Sequence, residues 1–263
     1  MKRLALGLQY DGTAYRGFQA QAGLPTVQAA LEAALSSIAD EPITVFCAGR
    51  TDAGVHALAQ VVHFDTQADR PSHGWLLGAN SKLPNDISVQ WIQEVPEEFH
   101  ARFKAKSRRY RYVIANSPAR PALTDRYATW IYHRLDADLM HEAAQVLLGI
   151  HDFSAFRSSE CQAKTPIKNI EFANILREED YVILDIKADA FLHHMVRNII
   201  GTLLPIGLGQ EPVDFMKKVL ESRDRTQAGM TAKPCGLSLI EINYPDNFKL
   251  PSPSNKRMIH ELV

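Results

Sequence analysis

The chain has 263 residues, 46% of them hydrophobic, 22% charged and 8% aromatic, with 14 Gly and 14 Pro. That profile excludes collagen-like, coiled-coil and wholly disordered chains and suits one large domain or two of about 130 residues. Basic and acidic residues number 29 and 30, a net charge of -1 that by itself argues against a nucleic-acid partner.

Lys2 to Tyr10 alternates Leu4, Leu6 and Leu8, the pattern of a half-buried strand, and Asp11-Gly12-Thr13 breaks it. Thr26 is placed to N-cap a helix with apolar residues at Val27, Ala30, Leu31, Ala34, Leu35 and Ile38. Strands are expected at Ile43–Ala48, Ala57–Asp65 and Ile87–Val95, with a helix from Ser72 to Lys82 stopped by Pro84. The order then starts over. A strand fits Arg109–Ala115, Asp136 caps a helix ending near Gly149, and Ile167–Leu176 and Tyr181–Lys187 form a hairpin across Glu178-Glu179-Asp180. Helices are expected at Phe191–Leu208, bent at Pro205, and at Val213–Glu221, with a last strand at Leu237–Tyr244.

Each half therefore reads β-α-β-β-α-β, so the expected fold class is α+β: two tandem ferredoxin-like halves, 1–105 and 106–245, followed by a tail from 246 to 263. Their sheets should be mainly antiparallel and join into one extended sheet, with the active-site cleft between the halves. Cys47, Cys161 and Cys235 lie far apart, as befits reduced thiols in a cytoplasmic protein. The apolar stretch from Phe191 to Leu208 is interrupted by His193, His194, Arg197 and Asn198 and is no membrane span.

Net charge conceals distribution. Arg102, Lys104, Lys106, Arg108, Arg109 and Arg111 are six cations in ten residues without one acid, leaving 23 basic against 30 acidic residues elsewhere, or -7. Such a block fits polyanion binding, and the interleaved Tyr110 and Tyr112 offer faces on which bases can stack. A solvated edge strand is the plainer reading.

The densest chemistry lies in Gly49-Arg50-Thr51-Asp52-Ala53-Gly54-Val55-His56, a carboxylate between two glycines joining two apolar strands. Glycines permit positive φ and close approach to a ligand, and an ionised Asp52 can act as nucleophile or proton acceptor. Arg50 stands two residues away, placed either to favour that ionised form or to meet phosphate. A turn aspartate bonding its own backbone fits the same spacing, and both readings stay open on spacing alone.

The run at 49–56 resembles the signature of the TruA-type tRNA pseudouridine synthase family. Tyr10-Asp11-Gly12-Thr13 with Tyr15, Gly17, Phe18 and Gln19 is similar to that family's first loop, although many members carry Trp where this chain has Phe18. Phe99-His100-Ala101-Arg102-Phe103 leading to Arg108-Arg109-Tyr110-Arg111-Tyr112 resembles its Tyr motif, and Phe191-Leu192-His193-His194-Met195-Val196-Arg197-Asn198 its late helix. Thr226 to Ala232 and Gly236-Leu237 fit the final segment more loosely. The resemblance implies that Asp52 is the catalytic aspartate, that Tyr110 packs against the target base, and that Arg197 orients Asp52. It further implies that Arg50 helps hold the nucleotide out of the stack and that Leu237 lines the pocket.

The implied reaction isomerises uridine to pseudouridine at tRNA positions 38, 39 and 40, in the anticodon arm, after base flipping. No cofactor or metal is expected: the chain has no phosphate-binding Gly-rich loop, and His56, His193 and His194 lack the neighbouring carboxylates or thiols of a metal set. The implied partners are tRNA and a second copy of the chain, with no membrane. Two other classes are an RNA N-glycosidic hydrolase and a non-catalytic RNA-binding module. The first normally needs two carboxylates, and the second lacks its aromatic signature in the Arg109–Ala115 strand.

Overall fold

The computed structural model describes residues 1–251, so most of the expected tail lies outside the described residues. The chain divides into two units, residues 1–107 with 238–251, and residues 108–237. Both are mixed α/β with mostly antiparallel sheets. The last strand groups with the first unit.

The first unit runs β1 (Lys2–Tyr10), α1 (Val27–Ala39), β2 (Phe46–Cys47), β3 (His56–Thr66), α2 (Ser72–Lys82) and β4 (Ile87–Val95). β1 lies between β4 and β3, antiparallel to both. It is a central strand, so Leu4, Ala5, Leu6 and Leu8 are all buried, and the expected one-sided exposure does not occur. The Thr26 hydroxyl accepts from Ala29 N–H and starts α1, which buries Val27, Leu31, Ala34 and Leu35. Trp75 of α2 packs edge-on against Phe64 of β3, with ring centres 5.4 Å apart.

The strand expected at Ile43–Ala48 shrinks to two residues. Backbone donors that a strand would use go instead to α1: Ile43 N–H to Ser36 Oγ (2.9 Å) and Val45 N–H to Glu32 Oε1 (3.0 Å).

The second unit runs β5 (Ser107–Ala115), β6 (Thr129–Trp130), α3 (Ala137–Ala144), β7 (Gly149–Asp152), β8 (Ile167–Glu178), β9 (Tyr181–Ala188), α4 (Met195–Gly207) and α5 (Phe215–Ser222). Its strands lie in the order β5-β9-β8-β7, all antiparallel, and β6 adds to β5 in parallel. Asp136 caps α3 as expected, accepting from the N–H groups of Asp138 and Leu139. The expected helix from Phe191 starts only at Met195, because His194 takes a left-handed conformation (φ 63°) and turns the chain into the helix. β6 and β7 were not foreseen. β10 (Leu237–Asn243) returns to the first unit, where Ser238 and Leu239 pair in parallel with His56 and Ala57 of β3.

Candidate active site

In the first unit, Asp52 is half-buried and Arg50 exposed on the loop joining β2 to β3. That loop leans on residues 10–18, the stretch similar to the family's first loop. Phe18 N–H donates to Thr51 O (3.0 Å) and Gly54 N–H to Tyr15 O (3.3 Å), one latch on each side of Asp52. The Tyr10 hydroxyl meets Thr51 Oγ1 at 2.8 Å in a buried pair, and Gln60 Nε2 donates to Gly49 O at 2.6 Å. Within the loop Val55 N–H returns to Asp52 O (3.1 Å), a tight turn that needs Gly54 at φ 77°. Gly12 lies so close to Val55 O that a Cβ there would overlap it.

A buried histidine completes the brace. His56 Nδ1 lies 3.2 Å from Asp11 Oδ1 and 3.1 Å from Gly12 N. Protonated, Nδ1 donates to the carboxylate; bare, it accepts from the amide. Burial pushes the Asp11 carboxyl up, but His56 together with the hydroxyl and N–H of Thr13 holds it well below the ordinary carboxylate range. Asp11 is therefore an anion at neutral pH. Gly54, Gly12 and His56 could be noticed in the sequence. Tyr10 and Asp11 stand in a recognisable motif, but their pairings with Thr51 and His56, and that of Gln60 with Gly49, span 41, 45 and 11 positions and could not be read.

In the second unit, Arg197 stands in the first turn of α4, half-buried, and its Nε donates to Ala232 O at 2.8 Å. Ala232 N–H returns to Arg197 O at 3.1 Å. The neighbouring Asn198 is fully buried and clamps the same segment: its Oδ1 accepts from Thr231 Oγ1 (2.7 Å) and an Arg225 guanidinium N–H (3.0 Å), while Nδ2 donates to Phe156 O (2.8 Å). Gly229 N–H donates to Thr202 Oγ1 (3.0 Å), and Gly201 has no room for a Cβ beneath Met230 O. The loosely matching stretch Thr226–Ala232 is thus the segment packed on α4. His193 and His194 bring their rings to 4.0 Å just ahead of that helix.

Tyr110 is 8% exposed and packs edge-on against Phe191 at 5.0 Å, and Leu237 is buried. Tyr112 does not supply an open stacking face. Strand alternation puts it on the same buried side as Tyr110, with its hydroxyl bonded to Lys233 O (2.8 Å) and Thr129 Oγ1 (2.6 Å), and burial pushes its pKa up. The basic block is divided in environment. Arg102, Lys104 and Lys106 are exposed in the first unit, whereas the three remaining arginines are half-buried in the second. Arg108 donates to Asp189 O (2.9 Å), and Arg109 and Arg111 both reach Asp185, with Nε–Oδ1 at 2.6 Å and NH2–Oδ2 at 2.8 Å.

A family model described as tRNA pseudouridine synthase matches residues 8–104 and 143–245, which include Asp52, Arg50, Arg197 and Leu237. The chain belongs to the tRNA pseudouridine synthase family. It is 55% identical over 249 residues to tRNA pseudouridine synthase A of Shewanella baltica, covering 95% of each chain. The enzymes of the same name from Pseudomonas aeruginosa and Escherichia fergusonii are 54% and 52% identical, each over 95% of this chain and over 88% and 93% of their own lengths. As a tRNA pseudouridine synthase the chain is an isomerase of tRNA uridine. Among the described residues no helix is long and apolar enough to cross a membrane.

Proposed function

We propose that this tRNA pseudouridine synthase acts in the anticodon arm, at tRNA positions 38, 39 and 40, and that Asp52 is its catalytic residue. In the isomerisation the bond from uracil N1 to ribose C1′ breaks and a bond from C5 to C1′ forms. C5 gives up its proton and N1 ends protonated, so atoms and charge balance without a cofactor or an energy source. The observation that carries the assignment is the brace around Asp52: backbone latches on both sides hold one carboxylate in a fixed loop. A preorganised group loses little entropy when it meets the flipped nucleotide.

Tyr110 would pack against the flipped base, Arg197 would hold Asp52 in its working orientation, Arg50 would keep the nucleotide out of the stack, and Leu237 would line the pocket. Extrusion of the base costs about a few kcal/mol, offset by phosphate contacts from the basic block. Within that block Arg102, Lys104 and Lys106 would contribute most, since Asp185 already offsets Arg109 and Arg111. We further read each unit as ferredoxin-like, supported in the first by β4-β1-β3 with β2 on β3, and in the second by β5-β9-β8. The working protein would be a cytoplasmic homodimer.

The test is mapping of pseudouridine, after selective derivatisation, in an unmodified tRNA transcript exposed to wild-type protein and to Asp52→Asn. Product at positions 38–40 with wild type, and none with the variant despite retained tRNA binding, is the expected result. Stoichiometric free uracil, or an active Asp52→Asn protein, overturns the assignment. Tyr110→Phe keeps the ring and removes the hydroxyl; a fall in turnover is expected if that hydroxyl moves a proton, and full turnover would reduce its role to packing.

A further inference from the structure

Four aromatic rings cluster in the first unit, one of them buried and two open to solvent. Phe46 of β2 pairs across the strands with His63 of β3, and their rings stack at 5.1 Å with planes 26° apart. His63 lies 4.6 Å from His100, which lies 4.2 Å from Phe103 and 5.7 Å from Phe46. The inner ring, His63, is buried, and its Nδ1 accepts from Ala101 N–H at 3.2 Å. The outer rings are open: Phe46 is 50% and Phe103 74% exposed.

Both imidazoles are electrically quiet. Burial, with His100 and Arg3 nearby, pushes His63 down to about 4, and burial with Arg3 and Arg102 lowers His100. The cluster is therefore a neutral π-surface rather than a group of weak cations. Positive charge sits beside it instead. The Arg102 guanidinium lies 5.8 Å from the Phe103 ring centre, and Lys104 and Lys106 follow, all exposed.

We propose that Phe46, His100 and Phe103 form a nucleobase platform, on which an unpaired base of the tRNA stacks while Arg102 and Lys104 meet the adjoining phosphates. Flat neutral rings rimmed by cations are the chemistry that single-stranded nucleic acid requires. A second copy of the chain is the poorer fit, since the stretch from Arg102 to Arg111 carries positive charges alone and two such surfaces would repel. The proposal rests on the chain's action on tRNA but not on the chemistry of Asp52.

The experiment measures binding of an unmodified tRNA transcript to the intact protein carrying Phe103→Leu, Phe103→Trp or Phe46→Leu, each first shown by circular dichroism to melt as wild type does. Leucine keeps apolar bulk and removes the π-face, so Phe103→Leu should weaken binding about tenfold while Phe103→Trp retains it. The loss should raise KM rather than lower kcat. Binding by Phe103→Leu within about twofold of wild type overturns the platform. So does unchanged tRNA affinity accompanied by dissociation in sedimentation, which would make the surface a protein interface. If Asp52→Asn stays active while Phe103→Leu loses tRNA, the catalytic assignment fails and the platform stands.

Discussion

Asp52 and Arg197 are held in two different ways. In the first unit the latches beside Asp52 run from backbone to backbone, Phe18 N–H to Thr51 O and Gly54 N–H to Tyr15 O. In the second unit the segment beside Arg197 is clamped largely by side chains, with Asn198 taking Thr231 and Arg225, and Thr202 taking Gly229 N–H. A backbone latch depends on the path of the chain and tolerates changed side chains wherever no Cβ intrudes. A side-chain clamp depends on the chemistry of one or two residues. The two should therefore fail to different kinds of mutation.

Glycine replacement should break either arrangement and give the largest effects. A Cβ on Gly12 overlaps Val55 O, and one on Gly201 overlaps Met230 O, so backbone must move in both variants. Forced repacking of that kind costs about 1–3 kcal/mol and sometimes more, and rigid carbonyl neighbours place both at the upper end. Urea denaturation of Gly12→Ala and Gly201→Ala measures the loss. Turnover should also fall in Gly12→Ala, because Val55 and Asp52 share one tight turn. Wild-type stability and turnover in Gly12→Ala would show that the latch does not position Asp52.

Acid should act on the first unit through a buried histidine. His63 belongs to the first unit, and burial lowers it from an ordinary 6.5 to about 4. The unfolded chain then binds more protons than the folded one between those values, so stability is fully present above about pH 6.5 and is lost as pH falls through 4. The loss attributable to His63 is at most on the order of 3 kcal/mol. Stability measured from pH 7 to 4 should fall less steeply in His63→Gln than in wild type, and identical slopes would remove His63 as the cause.

Asn198→Ala tests the clamp directly. It strands the Thr231 donor and Phe156 O and removes one of the acceptors of Arg225, at a cost of about 1–3 kcal/mol. KM and kcat should both worsen as Ala232 loosens from Arg197. A variant with full stability would show that Asn198 is not needed to secure the segment.

The contrast also explains what could be read before the structure was known. The bounds of β1, α2 and β4 followed from local period and stop signals, and Thr26 and Asp136 from capping chemistry. Asp52 and Arg50 stood out because several short motifs agreed in order. The strand at Ile43–Ala48 was overestimated because Ser36 and Glu32, far back in α1, take its backbone donors. The start of α4 was misplaced because nothing local announces a left-handed His194. The brace was invisible for the same physical reason: Tyr10 with Thr51, and Asn198 with Thr231, are pairs that only the tertiary fold brings together. The different surroundings within the basic block were hidden likewise, since Asp185 lies 74 residues beyond Arg111.

That division of the block yields the smallest expected effect and a direct comparison of the two units. Lys104 is exposed in the first, whereas Arg109 and Arg111 in the second share a carboxylate that is 9% exposed. Both arginines are half-buried with N–H groups turned onto Asp185, so each has fewer donors to offer a phosphate than an exposed lysine has. Lys104→Ala should lower the salt slope of tRNA binding by about 1, and Arg111→Ala by less than about half of that. Asp185→Asn should do the reverse and steepen the slope by unmasking the pair. Titration of binding across a salt series reads all three. Equal slope losses for Lys104→Ala and Arg111→Ala would mean that Asp185 turns away when tRNA binds, and that the block acts as one surface after all.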